Sequence, residues 1–121
     1  MDKKEVIENN ASTASQAEKM YIESLNLMKF YGPKSCSMRI AVKVVDKQKQ
    51  PVNLAEVNLM VKLPSGEIFD ACEATHADGV AFFDIASVSK GSWHVGVTEL
   101  DHPEYIADYQ DLLMQWCSTK V

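Results

Sequence analysis

Alternation of apolar and polar side chains is the feature that most constrains the fold of this chain. In the stretch SMRIAVKVVD, Ile40, Val42 and Val44 alternate with positions that include Arg39 and Lys43. The stretches AEVNLMVKLPSG and SWHVGVTE show the same period of two. This period is typical of β-strands with one buried and one exposed face. Turn signals containing Pro, Gly or Asp separate the stretches, and their spacing predicts an antiparallel β-sandwich of about seven strands over residues 38–110.

The apolar phase of the strand-like stretches identifies the expected core. We expect the following side chains to be buried between the sheets: Ile40, Val42, Val57, Leu59, Val61, Phe83, Ile85, Trp93, Val95 and Val97. In the stretch VAFFDI, residues 80–85, the same phase directs Val80 and Phe82 away from the core. An outward apolar pair of this kind needs another surface to cover it.

Residues 1–31 contain neither Gly nor Pro and follow a different period. Their apolar side chains recur at steps of three and four, as on one face of an α-helix. This stripe consists of Ala14, Ala17, Tyr21, Leu25 and Met28. The pattern predicts an amphipathic helix that ends near Phe30, just before Gly32 and Pro33.

We therefore divide the chain into an N-terminal helix with its linker, residues 1–33, and a β-sandwich domain, residues 34–121. A helix of this length is marginal in water unless its apolar stripe is covered. We expect Tyr21, Leu25 and Met28 to pack on the outward Val80 and Phe82. This packing would take place within one chain or between two copies in a homo-oligomer.

The C-terminal stretch EYIADYQDLLMQWCSTKV combines two patterns. Tyr105, Ala107 and Tyr109 alternate as in a strand, which we place at about 104–110. Leu112 and Trp116 fit a short helical turn that packs back on the domain.

The stretch ATHADGVAFFDI, residues 74–85, raises the question of a ligand site because His76 and Asp78 lie close together. Asp-Gly is the preferred pair of a two-residue type I′ hairpin, in which both residues need positive φ. Asp78 and Gly79 lie between strand-like stretches, so we interpret them as a hairpin turn with His76 exposed nearby. A metal site needs several converging ligands, and the local sequence offers only His76 and Asp78.

Length and charge exclude several classes of function. At 121 residues the chain is long enough for one domain with one core. Its formal net charge of −5 is not that of a nucleic-acid-binding protein. No apolar run approaches the ~20 residues that span a bilayer, so we expect no membrane insertion. The N-terminal MDKKEVIENN lacks the apolar region of a signal peptide, which fits a cytoplasmic protein or an excised piece of an exported chain.

Candidate catalytic side chains are few and scattered. Cys36, Cys72 and Cys117 form no CxxC pair, so we expect free thiols rather than a zinc or redox motif. The three histidines stand in no motif that pairs them with a nucleophile. We expect no catalytic residues, no cofactor and no enzymatic activity.

The loop ELDHPEY, residues 99–105, is the strongest remaining candidate for a metal site. It brings Asp101, His102 and Glu104 together in the sequence, and these are residue types that bind calcium or zinc. Loops at the ends of β-sandwiches are commonly polar without a ligand, and we prefer that interpretation.

A succession of turn and strand motifs runs through residues 38–110. These motifs are an Asp-containing turn at Asp46, Pro51-Val52 followed by Ala55, Thr75 with Asp78-Gly79, Gly91 with Trp93, and Tyr105. Their order resembles that of prokaryotic immunoglobulin-like modules, which include bacterial Ig-like domains and the carboxypeptidase regulatory-like (transthyretin-like) domains. The chain departs from this pattern at Lys49, Leu54 and Glu104, where glycine is usual in the group.

The resemblance implies a mainly β fold of the Ig-like or prealbumin-like type, here with an N-terminal α-helix. It also implies a non-catalytic spacer or protein-interaction domain of a secreted or cell-surface protein. Two alternatives stay open. A carbohydrate-binding accessory domain of an extracellular enzyme would present exposed aromatic side chains to a glycan, and Trp116 is the candidate. A structural assembly module would instead use the helix.

Overall fold

The computed structural model describes residues 18–86, 88–108 and 116–121. Eight strands occupy these ranges, in the order β1 Glu18–Tyr31, β2 Cys36–Asp46, β3 Glu56–Lys62, β4 Ile68–Ala74, β5 Val80–Ile85, β6 Ser92–Asp101, β7 Tyr105–Ala107 and β8 Trp116–Lys120. The same ranges contain no helix.

The strands form two four-stranded sheets, which confirms the predicted sandwich architecture. The first sheet has the order β5-β2-β1-β7 and the second has the order β4-β3-β6-β8. Neighbouring strands are antiparallel, except that β1 and β7 are parallel over residues 18–20 and 105–107. Strands β3 to β7 lie within residues 38–110, the region predicted to be β, and β2 begins two residues before it. Strands β1 and β8 extend the sandwich at either end of the chain.

The predicted core lies between the two sheets. Of the side chains expected there, all are buried except Ile85, which is half-buried and packs against the core. Trp93 is 2% exposed, and its indole N–H donates to the carbonyl oxygen of Ser89 at 2.8 Å. Met20, Ile22 and Met38 enlarge this core from β1 and β2.

The prediction of an N-terminal helix is wrong for residues 18–31, which form β1 inside the first sheet. A β-bulge between Ile22 and Ser24 accounts for the misleading spacing. Ile22 is paired with buried Val44, and Leu25 is paired with buried Val42, so both point toward the core. Inward side chains are therefore three residues apart across the bulge instead of two. Pairing with β2 on one side and β7 on the other overrides the local helical pattern.

The predicted helical stripe is divided between the two faces of β1. Leu25 points toward the core, whereas Tyr21 and Met28 lie on the opposite face. Ala14 and Ala17 lie outside the described residues. Assembly through a helix that includes Tyr21, Leu25 and Met28 is excluded with the helix itself.

The C-terminal tail also differs from its prediction. The expected strand at about 104–110 is present as β7, Tyr105–Ala107, while residues 109–115 lie outside the described ranges. Trp116, predicted to lie in a helical turn, instead begins β8 and pairs with Gly96 of β6. The tail packs back on the domain as an edge strand of the second sheet.

Thr75 joins two neighbouring connections that cross between the sheets, the β2–β3 loop and the β4–β5 turn. Its hydroxyl donates to the carbonyl oxygen of Val52 at 2.6 Å and accepts the N–H of Ala55 at 2.8 Å. Its backbone carbonyl accepts the N–H of Leu54 at 3.0 Å, and its own N–H donates to Ala55 at 2.8 Å. Four hydrogen bonds thus tie the end of the loop to the start of the turn.

The β2–β3 loop contains two non-glycine residues with left-handed backbone, Lys49 at φ 68° and Leu54 at φ 62°. The Asp46 carboxylate accepts the N–H groups of Gln48 and Gln50, both at 2.9 Å, and this holds the first of these turns. Residues other than glycine seldom adopt such φ values. Lys49 and Leu54 are two of the positions at which the Ig-like modules that the sequence resembles usually have glycine.

Asp78 and Gly79 form a turn, but the predicted type I′ hairpin is wrong. Of the two residues only Gly79 has a positive φ, at 79°, and the flanking strands β4 and β5 belong to different sheets. The Gly79 N–H donates to the carbonyl oxygen of His76 at 2.8 Å, and the Val80 N–H donates to the Asp78 carboxylate at 3.0 Å. The chain therefore changes sheets here instead of pairing with itself.

Gly79 also lies too close to its neighbours for a side chain. Its carbonyl oxygen accepts the N–H of Val44 at 2.8 Å. A Cβ at this position would lie 2.7 Å from the Val44 carbonyl oxygen and 2.9 Å from Cβ of Pro51. The turn is packed directly on β2 and on the β2–β3 loop.

We expect Gly79→Ala to lower the free energy of unfolding by about 2–4 kcal/mol, because backbone strain and steric overlap act together. Gly66→Ala is the matched control, since Gly66 also has a positive φ, 95°, but an added Cβ would meet nothing within 4 Å. Gly66→Ala should lower the free energy of unfolding by about 1 kcal/mol. Urea unfolding of both variants measures the difference, and equal losses would contradict the close packing of the Gly79 turn.

Candidate interaction surface

The outer face of the first sheet carries four of the five residues that the sequence suggested for interaction. Val80 and Phe82 project from β5, and Tyr21 and Met28 project from β1. The fifth, Leu25, faces the core and is not part of this surface.

The strand register places the outward side chains of β1, β2 and β5 in rows across the sheet. Met28, Arg39 and Asp84 form one row, because Arg39 pairs with Met28 on one side and Asp84 on the other. Phe82 lies opposite Ala41 in the next row, two residues along the strands. Since rows on one face lie side by side, these residues form one continuous surface.

Apolar side chains make up much of this surface. We use the name outer patch for Met28, Phe30, Ala41, Val80 and Phe82 together with Arg39 and Asp84. Phe30 is 54% exposed and Met28 is 36% exposed, while Val80 and Phe82 are half-buried. Exposed aromatic and methionine side chains on a regular sheet face are typical of protein-binding surfaces.

Arg39 and Asp84 are fixed against each other within the outer patch. Nε of Arg39 donates to Oδ1 of Asp84 at 2.7 Å, and a second guanidinium nitrogen donates to Oδ2 at 3.2 Å. The guanidinium carbon also lies 4.9 Å from the centre of the Phe82 ring, within the range of a cation–π contact. The only arginine in the chain is thus held in a defined orientation.

The Arg39–Asp84 pair changes the titration of both groups. Hydrogen bonding to Arg39 lowers the pKa of the Asp84 carboxyl, and the Arg39 charge lowers it further. Hydrogen bonding to Asp84 raises the pKa of Arg39. Each partner favours the charged form of the other.

Phe30, Arg39 and Asp84 were not singled out by the sequence as interaction residues. The phase of VAFFDI does place Asp84 on the same face as Val80 and Phe82. Phe30 could not be placed, because its position depends on β1 pairing with β2 after the bulge. The turn signal at Gly32 and Pro33 lies between Phe30 and its partner Ser37, but the helical spacing of the preceding residues leads to its interpretation as a helix stop instead of a hairpin turn.

The three candidate metal ligands lie at the end of β6 and in the loop that follows it, but His102 is already hydrogen-bonded at both ring nitrogens. Nδ1 of His102 accepts the N–H of Glu104 at 3.0 Å, so the tautomer with the proton on Nε2 fits, and Nε2 lies 3.0 Å from the carbonyl oxygen of Asn53. The ring stacks edge-on against Tyr105, with centroids 4.9 Å apart. His102 therefore braces this loop against the β2–β3 loop, while Asp101 and Glu104 are exposed.

The remaining candidate side chains are dispersed. Cys36 is buried, Cys72 is exposed and Cys117 is half-buried, and all three are free thiols. His94 bonds to Ser118 on β8, and His76 is exposed beside the Gly79 turn. Within the described ranges no group of three or more His, Cys, Asp or Glu residues is arranged to hold a metal ion.

Trp116, the sequence candidate for glycan contact, begins β8, but its side chain lies outside what the structure describes. Among the described residues there is no helix that could span a membrane. Searches of protein-family models, of curated proteins and of solved structures find no match to this chain.

The Arg39–Asp84 pair predicts a pH-dependent contribution to stability. Because the pKa of Asp84 is lowered on folding, its stabilising effect is present above the pKa of the unfolded carboxyl, about 4, and is lost as pH falls through the lower folded value. Asp84→Asn should therefore be less stable than the native chain at pH 7, and the two should converge at acidic pH. Urea unfolding from neutral to acidic pH measures the difference in free energy of unfolding between the native chain and Asp84→Asn.

Arg39→Met provides the control for this prediction. When Arg39→Met is already present, adding Asp84→Asn should change the free energy of unfolding by an amount that does not depend on pH, since the charge partner is already missing. A difference between Asp84→Asn and the native chain that stays constant from neutral to acidic pH would contradict the assignment.

Proposed function

We propose that this chain is a non-catalytic, immunoglobulin-like β-sandwich module of a secreted or cell-surface protein, and that it binds a partner protein through the outer patch. The observation that carries the binding role is the exposed apolar surface of Met28, Phe30, Val80 and Phe82 around the fixed Arg39–Asp84 pair. A partner that covers this surface removes apolar area from water and gains a rigid charged anchor.

The arrangement of the Ig-like motifs supports the module class. Thr75 is hydrogen-bonded to both Val52 and Ala55, and a side chain on Gly79 would collide with Pro51. Motifs that are scattered in the sequence thus meet at one corner of the sandwich. The positive φ values of Lys49 and Leu54, where the pattern has glycine, also fit this class.

An interaction role is favoured over a simple spacer because Met28, Phe30, Val80 and Phe82 share one face of the first sheet. A spacer needs only a polar outer surface, and exposed apolar area of this kind lowers solubility. On the same face Lys43 forms an ion pair with Glu23 at 3.3 Å, so the apolar side chains have a charged border. Aromatic side chains, Met and Arg, which the outer patch combines, are the residue types enriched in protein interfaces.

Comparative capture from secreted and surface proteins of the source organism tests the proposal. The immobilised full chain, Phe30→Glu and Phe82→Glu are compared by quantitative mass spectrometry. We expect a specific protein that is retained by the native chain and depleted at least about tenfold by either variant, because a carboxylate is placed in a desolvated contact.

Leu54→Glu is the matched control, since Leu54 is 64% exposed and lies on a loop outside the outer patch. It should retain the same protein. Equal retention by Phe30→Glu would contradict binding through the outer patch. Turnover of an ester, glycoside or peptide that one His or Cys substitution abolishes would contradict a non-catalytic module.

A further inference from the structure

Strand β4, Ile68–Ala74, forms an edge of the second sheet with one side unpaired in the described residues. It pairs with β3 along all seven residues, without a register shift, and no described strand lies on its other side. Natural edge strands are commonly protected by charged side chains, above all Lys, by Pro, by a bulge or by short length. The sequence IFDACEA has no lysine, no proline and no bulge, and its two charged side chains, Asp70 and Glu73, are both acidic.

The side chains of β4 divide into an apolar end and an acidic end. Ile68 is 56% exposed and Phe69 is 36% exposed at the start of the strand. Asp70 and Glu73 are exposed further along. A strand added to this edge would therefore meet two apolar positions and then two carboxylates.

Acidic residues on neighbouring strands reinforce the negative charge around Cys72. Partial desolvation and the carboxylate of Glu56 raise the pKa of the Cys72 thiol, and Glu73 and Glu99 raise it further. Lys62, on β3 opposite Ile68, lies at the apolar end of the edge. The half of the edge that contains Asp70 and Glu73 is thus acidic.

Charge decides which kind of strand this edge fits. In the antiparallel register that pairs all seven residues, a second copy of β4 would place Cys72 opposite Asp70 and Phe69 opposite Glu73, so neither carboxylate would meet a cation, and each copy carries a formal net charge of −5. Like charges opposite each other destabilise strand pairing, whereas opposite charges stabilise it. A cationic strand satisfies the unpaired backbone groups and the carboxylates together.

We propose that β4 binds an extended, cationic segment of another protein by antiparallel strand addition. In this register the segment has basic residues opposite Glu73 and Asp70, three positions apart, followed by two apolar residues opposite Phe69 and Ile68. The site lies on the edge of the second sheet, separate from the outer patch, and does not depend on the function proposed above. Main-chain hydrogen bonds supply affinity, and the charged positions supply specificity.

A synthetic peptide, Thr-Lys-Thr-Val-Lys-Val-Val, presents this pattern to residues 74 to 68 and tests the proposal on the full chain. NMR titration should show saturable binding, with the amides of β4 shifted and protected from hydrogen exchange. Replacing both lysines of the peptide by glutamate should weaken binding at least about tenfold. Asp70→Lys in the protein should have a similar effect, while Asp101→Lys, the same charge change on β6, should stay within about twofold.

Two N-methylated peptides separate strand addition from simple charge attraction. Methyl groups on alternate amides, in one phase or the other, leave the peptide charge unchanged. Only the phase whose N–H groups face β4 should abolish binding. If Asp70→Lys does not fold, the effect of charge on peptide binding is measured with the Glu73→Gln protein and with the peptide in which glutamate replaces both lysines. Absence of saturable binding, equal binding by both methylated peptides, or binding that is insensitive to the lysines would each overturn the proposal.

Discussion

The hydrogen bonds of Thr75 are the constraint on which the arrangement of the two sheets most depends. Thr75 is the only polar side chain that is buried among the described residues, and its hydroxyl both donates and accepts within the interior. If the Thr75 hydroxyl were removed, the Ala55 N–H and the Val52 carbonyl would lose their hydrogen-bond partner inside the protein, at a cost of about 1–3 kcal/mol each. The contact fixes where the chain leaves β2 for β3 and where it leaves β4 for β5.

Both proposed binding surfaces follow from these two crossings. The β4–β5 turn places β4 at the edge of the second sheet and β5 at the edge of the first, and the two strands contact each other. The pairing of β5 with β2 brings Phe82 and Asp84 beside Arg39 on the outer patch. The same turn leaves β4 with one side on which no described strand pairs. One corner of the core thus positions an apolar face and an acidic edge.

The sequence predicts the parts of this fold that depend on local alternation. The phase of Val57, Leu59 and Val61 identifies buried residues because a strand with one dry face repeats every two residues. The same phase places Val80 and Phe82 outward. It fails at β1, where the bulge after Ile22 gives a spacing that mimics a helix. It also could not pair Thr75 with Val52 and Ala55, or Arg39 with Asp84, because these contacts join residues 20 or more positions apart.

Replacement of Thr75 tests the dependence on this corner most directly. Thr75→Val keeps the shape but removes both hydroxyl hydrogen bonds, whereas Thr75→Ser keeps the hydroxyl and loses one methyl group. We expect a loss of about 2–5 kcal/mol in the free energy of unfolding for Thr75→Val and about 1 kcal/mol for Thr75→Ser, with faster hydrogen exchange at Ala55 and Gly79 in the valine variant. A Thr75→Val protein as stable as Thr75→Ser, with unchanged exchange at these amides, would contradict this dependence.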